Sequence, residues 1–480
     1  MNLRIAMTTA IVVAAALATS ADRAAAASTV ALEHGTLTVN GDAASDALAL
    51  RARPSTPRIL EVDFGDDGTA DAEVKLRKVD RIRVRTGGGD DGVRIDESGV
   101  AFTDDVPTTI DGEDGFDTVR LDGSAADDRL RVSAKGTRVR FLRDAGCHAV
   151  DLGGIEQVDA AALGGADTVT LDDTSGTDLQ ELDVDLEGMA GSGAGDGRRD
   201  RVILNGTPGD DDPSVLAFDG IAVVGWPALV RVEHPEATDR LTLNGRGGDD
   251  LMSASSLKAD AIGVTLDGGS GADVLFGGDG DDVLIGGPEF DDVRGNKGDD
   301  VVDLGPDIDR FIWNPGDGSD VVDGQGGDDV LFFFGTNDAE VLDLSAQGRR
   351  LRLSRDVENV VMDLDDLEEI NPVVNGGADT IAVGDLSATG IDEVNVNLEP
   401  GLGTPGGDGL PDRVTATGTD GDDAVAVAGA NGTVAVTGLA ARLGITHAEG
   451  IDSLAIDTRA GHDAVDATGL APNTIQLTTD

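Results

Sequence analysis

Between Gly268 and Phe332 the chain repeats itself every nine residues. Blocks start at Gly268, Gly277, Gly286, Gly295 and Leu304; Trp313 and Asn314 then intervene, and two more blocks start at Pro315 and Gly324. The sixth place is Asp in every block: Asp273, Asp282, Asp291, Asp300, Asp309, Asp320 and Asp329. The eighth is always apolar: Leu275, Leu284, Val293, Val302, Phe311, Val322 and Leu331. A fixed period of this kind marks stacked repeats, in which each unit contacts only its neighbours and the stack shares one buried ladder.

The residue types suit this arrangement. Glycines at the second and fourth places let the backbone turn sharply at positive φ. The turn brings carbonyl oxygens inward, and the sixth residue adds a carboxylate. Residues seven to nine form a short strand with the eighth in the core. Two blocks make one turn of a flattened spiral, so blocks n and n+2 stack. Carbonyl and carboxylate oxygens are hard ligands, and Ca²⁺ takes six to eight of them in flexible geometry. The candidate ligands are Gly269, Gly271 and Asp273; Gly278, Gly280 and Asp282; Asp291; Gly298 and Asp300; and Asp309, Asp320 and Asp329. Asp282 and Asp300 come first, because their blocks keep the turn chemistry best and stand two apart. Glu289 and Asp307 replace glycines and weaken the case for Asp291 and Asp309. The Trp313-Asn314 insertion is expected to start a second short stack holding Asp320 and Asp329.

The block resembles the calcium-binding nonapeptide repeats of RTX proteins, and the whole chain is similar to secreted bacterial RTX-type calcium-binding proteins. The resemblance is strict over 268–332 and looser elsewhere. It implies a parallel β-roll that folds on binding calcium, with a Kd of roughly 10⁻⁴–10⁻³ M for an extracellular module.

The flanks are duplicated. Leu163-Gly164-Gly165-Ala166-Asp167-Thr168 recurs as Asn375-Gly376-Gly377-Ala378-Asp379-Thr380, and the same shift of 212 takes Asp117 to Asp329 and Arg143 to Arg355. Near the end the shift is 213, as from Leu241 to Leu454. The expected organisation is an export signal at 1–27, a β-rich segment at 28–113, a first module copy at 114–267, the nonapeptide block at 268–332 and a second copy at 333–480. Asp480 aligns with Asp267, which leads to the expectation that longer relatives continue into a second nonapeptide block. Strand-like pieces recur about every 20 residues, at Val202, Val223, Leu243 and Val264 and again at Val414, Val434, Leu454 and Ile475. The fold class is all-β: an elongated parallel β-roll or β-helix solenoid, preferred over a string of antiparallel sandwiches. One helical turn is allowed for at Asp365–Ile370.

Composition narrows the function. With 92 acidic against 36 basic residues, a net charge of −56 argues against nucleic acid and anionic lipid as partners. Hydrophobic residues are 39% and aromatics 3%, enough for a long thin core but poor for a large globular one. Met1 to Ala27 has Arg4, an apolar run from Ile5 to Ala18 and small residues at Ala25–Ala27, the pattern of an export signal rather than a membrane span. The single cysteine, Cys147, permits no intrachain disulfide and reads as a small buried hydrophobe.

The five histidines (His34, His148, His234, His447 and His462) stand in no H-E-x-x-H motif, and no G-x-S-x-G or phosphate-binding loop occurs. D-G-x-x-D patterns at Asp67–Asp71, Asp196–Asp200 and Asp408–Asp412 are explained by turn chemistry. The start of a calcium loop at Asp183–Gly188 lacks the twelfth-place Glu, since Ala194 stands there. The reading is a secreted, calcium-binding structural or adhesive protein and not an enzyme, with a cell-surface, matrix or polysaccharide partner. The alternative is a polysaccharide-active β-helix enzyme, which the absence of Tyr and the shortage of Lys disfavour.

Overall fold

The computed structural model describes residues 12–14, 28–53, 55–56, 58–143, 149–218, 220–401 and 403–480. Cys147, His148 and most of residues 1–27, where an export signal is expected, lie outside them. Val12–Ala14 form a short strand antiparallel to Thr29–Glu33. Of the described residues 47% are strand and 1% helix. Its contacts divide it into two compact units, 1–207 with 213–243 and 208–212 with 244–480. The nonapeptide block and the second module copy thus share one unit.

Each unit is a parallel β-solenoid with two sheet faces. In the first unit, Ala47–Ala52, Gly92–Asp96, Thr118–Asp122, Gln157–Ala161, Glu181–Asp185 and Leu229–Glu233 pair in parallel along one face. In the second, Val274–Phe276, Asp292–Arg294, Arg310–Trp313 and Val330–Phe334 stack on one face. Val283–Ile285, Val301–Asp303 and Val321–Asp323 stack on the other. Blocks n and n+2 pair as expected, because a three-residue strand and a six-residue corner make half a turn. The eighth residues form the core: Leu275, Leu284, Val293, Val302, Phe311, Val322 and Leu331 are all at most 1% exposed.

The duplication is structural as well. Arg129–Lys135, Thr168–Leu171 and Arg201–Asn205 pair in parallel, as do their counterparts Val341–Gln347, Thr380–Val383 and Arg413–Thr417.

Three expectations change. A coil of about 20 residues holds for only some turns of the modules. Ser453 pairs with Gln476 and Gln157 with Glu181, 23 and 24 residues on, but Thr168 pairs with Arg201, Arg413 with Ser453 and Glu393 with Arg442, so a full turn runs from 23 to 49 residues. Antiparallel hairpins occupy the extra length. Arg129–Lys135 folds back on Arg138–Arg143, and Ala424–Ala430 on Thr433–Thr437. Secondly, Asp365–Ile370 is not helical: the strand Val360–Asp365 gives way through a short bend to the strand Glu369–Val373. Ile370 is wholly buried and completes the ladder above Leu331. Thirdly, Trp313-Asn314 does not split the stack. Trp313 extends its strand by one residue, pairs with Phe333 and stacks on its ring at 4.2 Å. The rest of the insertion is a loop in which the Asn314 N–H donates to Asp317.

A buried ion pair stands beside this tryptophan. Arg355 and Glu340 have fully buried side chains 2.5 Å apart, and the guanidinium lies over the Trp313 ring at 5.5 Å. Breaking such a pair strands a charge away from water. Arg355→Met is therefore expected to cost about 3–5 kcal/mol. Arg355→Met with Glu340→Gln should recover much of the loss in a thermal melt; a double variant no better than the single would refute the account.

Candidate metal centre

The sixth-place aspartates form two continuous ladders at the corners of the solenoid. On one side the N–H of Asp250 donates to Asp273 Oδ1, Asp273 to Asp291, Asp291 to Asp309 and Asp309 to Asp329, all at 2.7–2.8 Å. The last N–H, of Asp329, donates to Glu368 Oε2 at 2.8 Å. On the other side Asp282 donates to Asp300 and Asp300 to Asp320, both at 2.9 Å. Both ladders cross the Trp313-Asn314 insertion, so Asp320 and Asp329 belong to the same stacks as the others.

Each ladder uses only Oδ1. The second oxygen of Asp273, Asp291, Asp300, Asp309, Asp320 and Asp329 is buried with no hydrogen-bond partner, and each of these residues is at most 1% exposed. An unmatched buried carboxylate oxygen is costly. Burial accordingly pushes the carboxyls up: Asp273 to about 6, Asp309 and Asp329 to about 7, Asp291 and Asp320 to about 8, and Asp300 to about 9. Neighbouring aspartates add to the rise in each ladder; around Asp300 they are Asp320, Asp282 and Asp281.

Asp282 differs, because its Oδ2 accepts the Gly278 N–H at 2.6 Å. The backbone four residues before the Asp explains the contrast. It has positive φ at Gly269 (99°), Gly287 (115°), Asn296 (62°), Gly305 (112°), Gly316 (95°) and Gln325 (65°), the corners whose Oδ2 is unmatched. Gly278 lies outside that region. One backbone torsion thus decides whether the corner satisfies its own carboxylate or leaves it open.

At the first glycine of a block the Asp Oδ2 crowds the backbone, at most of them with a carbonyl of a neighbouring coil, so that no side chain fits there. A Cβ on Gly268 would lie 2.3 Å from Asp273 Oδ2 and 2.8 Å from the Gly286 carbonyl oxygen. On Gly286 it would meet Asp291 Oδ2 at 2.5 Å and the Leu304 carbonyl at 2.4 Å. Gly295 faces Asp300 Oδ2 at 2.1 Å, and Gly324 faces Asp329 Oδ2 at 2.6 Å. Carboxylate and carbonyl oxygens from neighbouring coils converge there. At Asp309 and Asp320 the first place is Leu304 and Pro315 instead of glycine. The fourth glycines Gly271 and Gly298 lie against carbonyls of the preceding coil, 2.0 Å from Gly248 O and 2.4 Å from Gly280 O by the same construction. Gly280 is packed more loosely, 3.1 Å from Ala259. The unmatched donors are carboxylate oxygens, at Asp273, Asp291, Asp300, Asp309, Asp320 and Asp329 alike, the ligand chemistry of a hard divalent cation.

Asp250 was not among the sequence candidates. Gly245-Arg246-Gly247-Gly248-Asp249-Asp250 carries the same first-to-sixth Gly/Asp spacing, with Met252 at the eighth place. Fourteen residues separate that block from Gly268, so it falls out of phase with the nine-residue period.

The D-G-x-x-D loops are structural. Asp196 and Asp408 accept N–H groups from Gly165 and Gly377, while Asp200 and Asp412 continue ladders from Asp167 and Asp379. A different cluster stands on a sheet face of the first unit, where oxygen or nitrogen atoms of Asp185, Glu233 and His234 lie within 4.8 Å of one another. Its second-copy counterparts are Asn397, Thr446 and His447; Asn397 binds His447 at 2.7 Å much as Asp185 binds His234 at 2.8 Å.

No family model matches the chain, and no curated protein is similar to it.

Proposed function

We propose that this chain is a secreted calcium-binding protein of structural or adhesive role, whose nonapeptide block sets when calcium enters its open corners. The observation that carries the reading is the run of buried Oδ2 atoms without a hydrogen-bond partner, repeated coil after coil. Without a cation the aspartates are held against desolvation and one another. Binding then becomes folding free energy. A chain that stays loose at low calcium and sets at extracellular calcium suits export.

Calcium titration of the full chain, followed by calorimetry and by native mass spectrometry, tests the reading. Several ions should bind with heat release and a rise in β-sheet circular dichroism. Asp300→Asn with Asp291→Asn should lower the ion count. Identical spectra and no bound ions would end the proposal.

The second reading, a polysaccharide-active solenoid, has one observation in its favour. Asp183, Asp185, Arg231, Glu233 and His234 share the outer face of adjacent strands, and burial with neighbouring Asp159 and Glu181 pushes Asp183 up to about 7. Against it, Arg231 is already paired with Glu181. Turnover of an acidic polysaccharide that Asp183→Asn abolishes would reverse the order of the two.

A further inference from the structure

The first unit carries a basic tract that the rest of the chain leaves unneutralised. Lys75, Arg77, Lys78, Arg81, Arg83 and Arg85 stand within eleven residues that hold one acid, Asp80, in a chain with 92 acidic and 36 basic residues. All six are exposed, and among the described residues none of them makes an ion pair or a side-chain hydrogen bond. The last three belong to the strand Arg81–Arg85. Ile82 and Val84 are wholly buried in the core, so the three arginines point outward together. Strand geometry spaces them at about 6.6 Å, roughly 13 Å from first to last.

The acids of the same face are already taken. Asp111 lies beside Arg85 in the sheet, but Arg138 holds it at 2.6 Å. Asp151 is held by Lys135 at 2.8 Å and by Arg138 as well. Arg140, opposite Asp151 and three strands from Arg83, is a fourth exposed arginine without an ion pair among the described residues. On the other sheet of the unit, Arg94 and Arg120 both bind Asp122, and Arg231 binds Glu181. Hydrogen-bonding side chains flank the unmatched row. Thr36, Thr38 and Asn40 stand in register with Arg81, Arg83 and Arg85 on one neighbouring strand, and Thr109 with Arg83 on the other. The strands Thr36–Asn40, Arg81–Arg85 and Thr108–Asp111 hold no aromatic residue.

We propose that this face binds a carboxylated polysaccharide, with uronate groups along the arginine row and sugar hydroxyls on the threonines and Asn40 beside it. A guanidinium grips a carboxylate through two parallel hydrogen bonds. Nucleic acid fits the face poorly, since base stacking needs aromatic platforms and dense phosphate charge meets the repulsion of the acidic remainder. Screening confines that repulsion to about 8 Å at physiological salt, so a polymer of modest charge feels the arginines first. An acidic peptide offers carboxylates without hydroxyls. The inference rests on the adhesive reading of the chain and supplies its partner, but no calcium ion takes part in it.

Calorimetric titration of the full, calcium-saturated chain with a short oligogalacturonate tests the face. The oligomer should bind, and neutral dextran should not. Arg81→Gln, Arg83→Gln and Arg85→Gln together should weaken binding about tenfold or more. Arg198→Gln, Arg199→Gln and Arg201→Gln, at exposed positions elsewhere in the unit, remove the same charge and should leave binding within about twofold. In the unaltered protein the oligomer should also shield Arg81, Arg83 and Arg85 from an arginine-selective dicarbonyl reagent, read by peptide mass spectrometry, so the test survives a variant that fails to fold. An unaltered chain that binds no oligomer would overturn the face. Equal losses in the two triple variants would do the same, as would single-stranded DNA or polyglutamate that binds through the row as tightly as the uronate. Uronate binding that the arginine changes leave intact and calcium chelation abolishes would overturn the face and keep the calcium reading. A chain that binds the oligomer through the row yet takes up no calcium would keep the face and end the calcium reading.

Discussion

Calcium-depleted protein is expected to melt at a higher temperature at pH 5 than at pH 8, and saturating calcium is expected to reverse that order. The sign follows from burial. Asp291 and Asp320 are raised to about 8 and Asp300 to about 9 in the fold, against about 3.9 in an unfolded chain. A carboxyl raised in the folded state contributes stability that is full below its unfolded value and is lost as pH climbs through the folded one. The window here runs from about pH 4 to about pH 9. Asp167, Asp200, Asp379 and Asp412, each raised to about 7 by burial, act in the same direction. Together they should lower Tm by about 10 °C or more between pH 5 and 8. Protons and calcium compete for the same oxygens, so the calcium-loaded protein should gain stability as the carboxylates ionise. Thermal melts on resin-depleted and calcium-saturated samples check this; a depleted protein that grows more stable toward pH 8 would contradict it.

Gly287→Ala should be far more damaging than Gly316→Ala, although both glycines have positive φ in the same block. A Cβ on Gly287 would sit 1.9 Å from the Gly269 carbonyl oxygen, whereas nothing lies within 4 Å of one on Gly316. At Gly316 the cost is backbone strain alone, about 1 kcal/mol. At Gly287 two coils must also separate, and the Asp291 corner between them opens. A loss of about 3 kcal/mol, or roughly 6–12 °C in Tm, is expected there, with weaker calcium binding. Equal losses in the two variants would show that coil spacing does not govern the corner.

Much of the solenoid was legible because its signals are local and periodic. An apolar residue at every eighth place gave the core ladder from Leu275 to Leu331, and the nine-residue period gave the n, n+2 stacking. The module turns were harder to read. Hairpins such as Arg129–Lys135 with Arg138–Arg143 leave the spiral and return, so strand spacing in sequence differs from coil height. The Trp313-Asn314 insertion looked like a break in register. Burial of Trp313 against Phe333 and Arg355, a contact between distant residues, turns it into a bulge that the ladder crosses.

By itself the sequence determined that the chain would stack, which residues would point inward and where aspartates would recur, since each depends on spacing along a few residues. Only the tertiary structure decided which aspartates are open. Asp282 and Asp300 are equivalent in the repeat. Yet Gly278 turns its N–H onto Asp282, while the positive φ of Asn296 leaves Asp300 with an unmatched oxygen. That outcome depends on a torsion four residues away and on the carbonyls of the next coil, and neither is written in the nonapeptide.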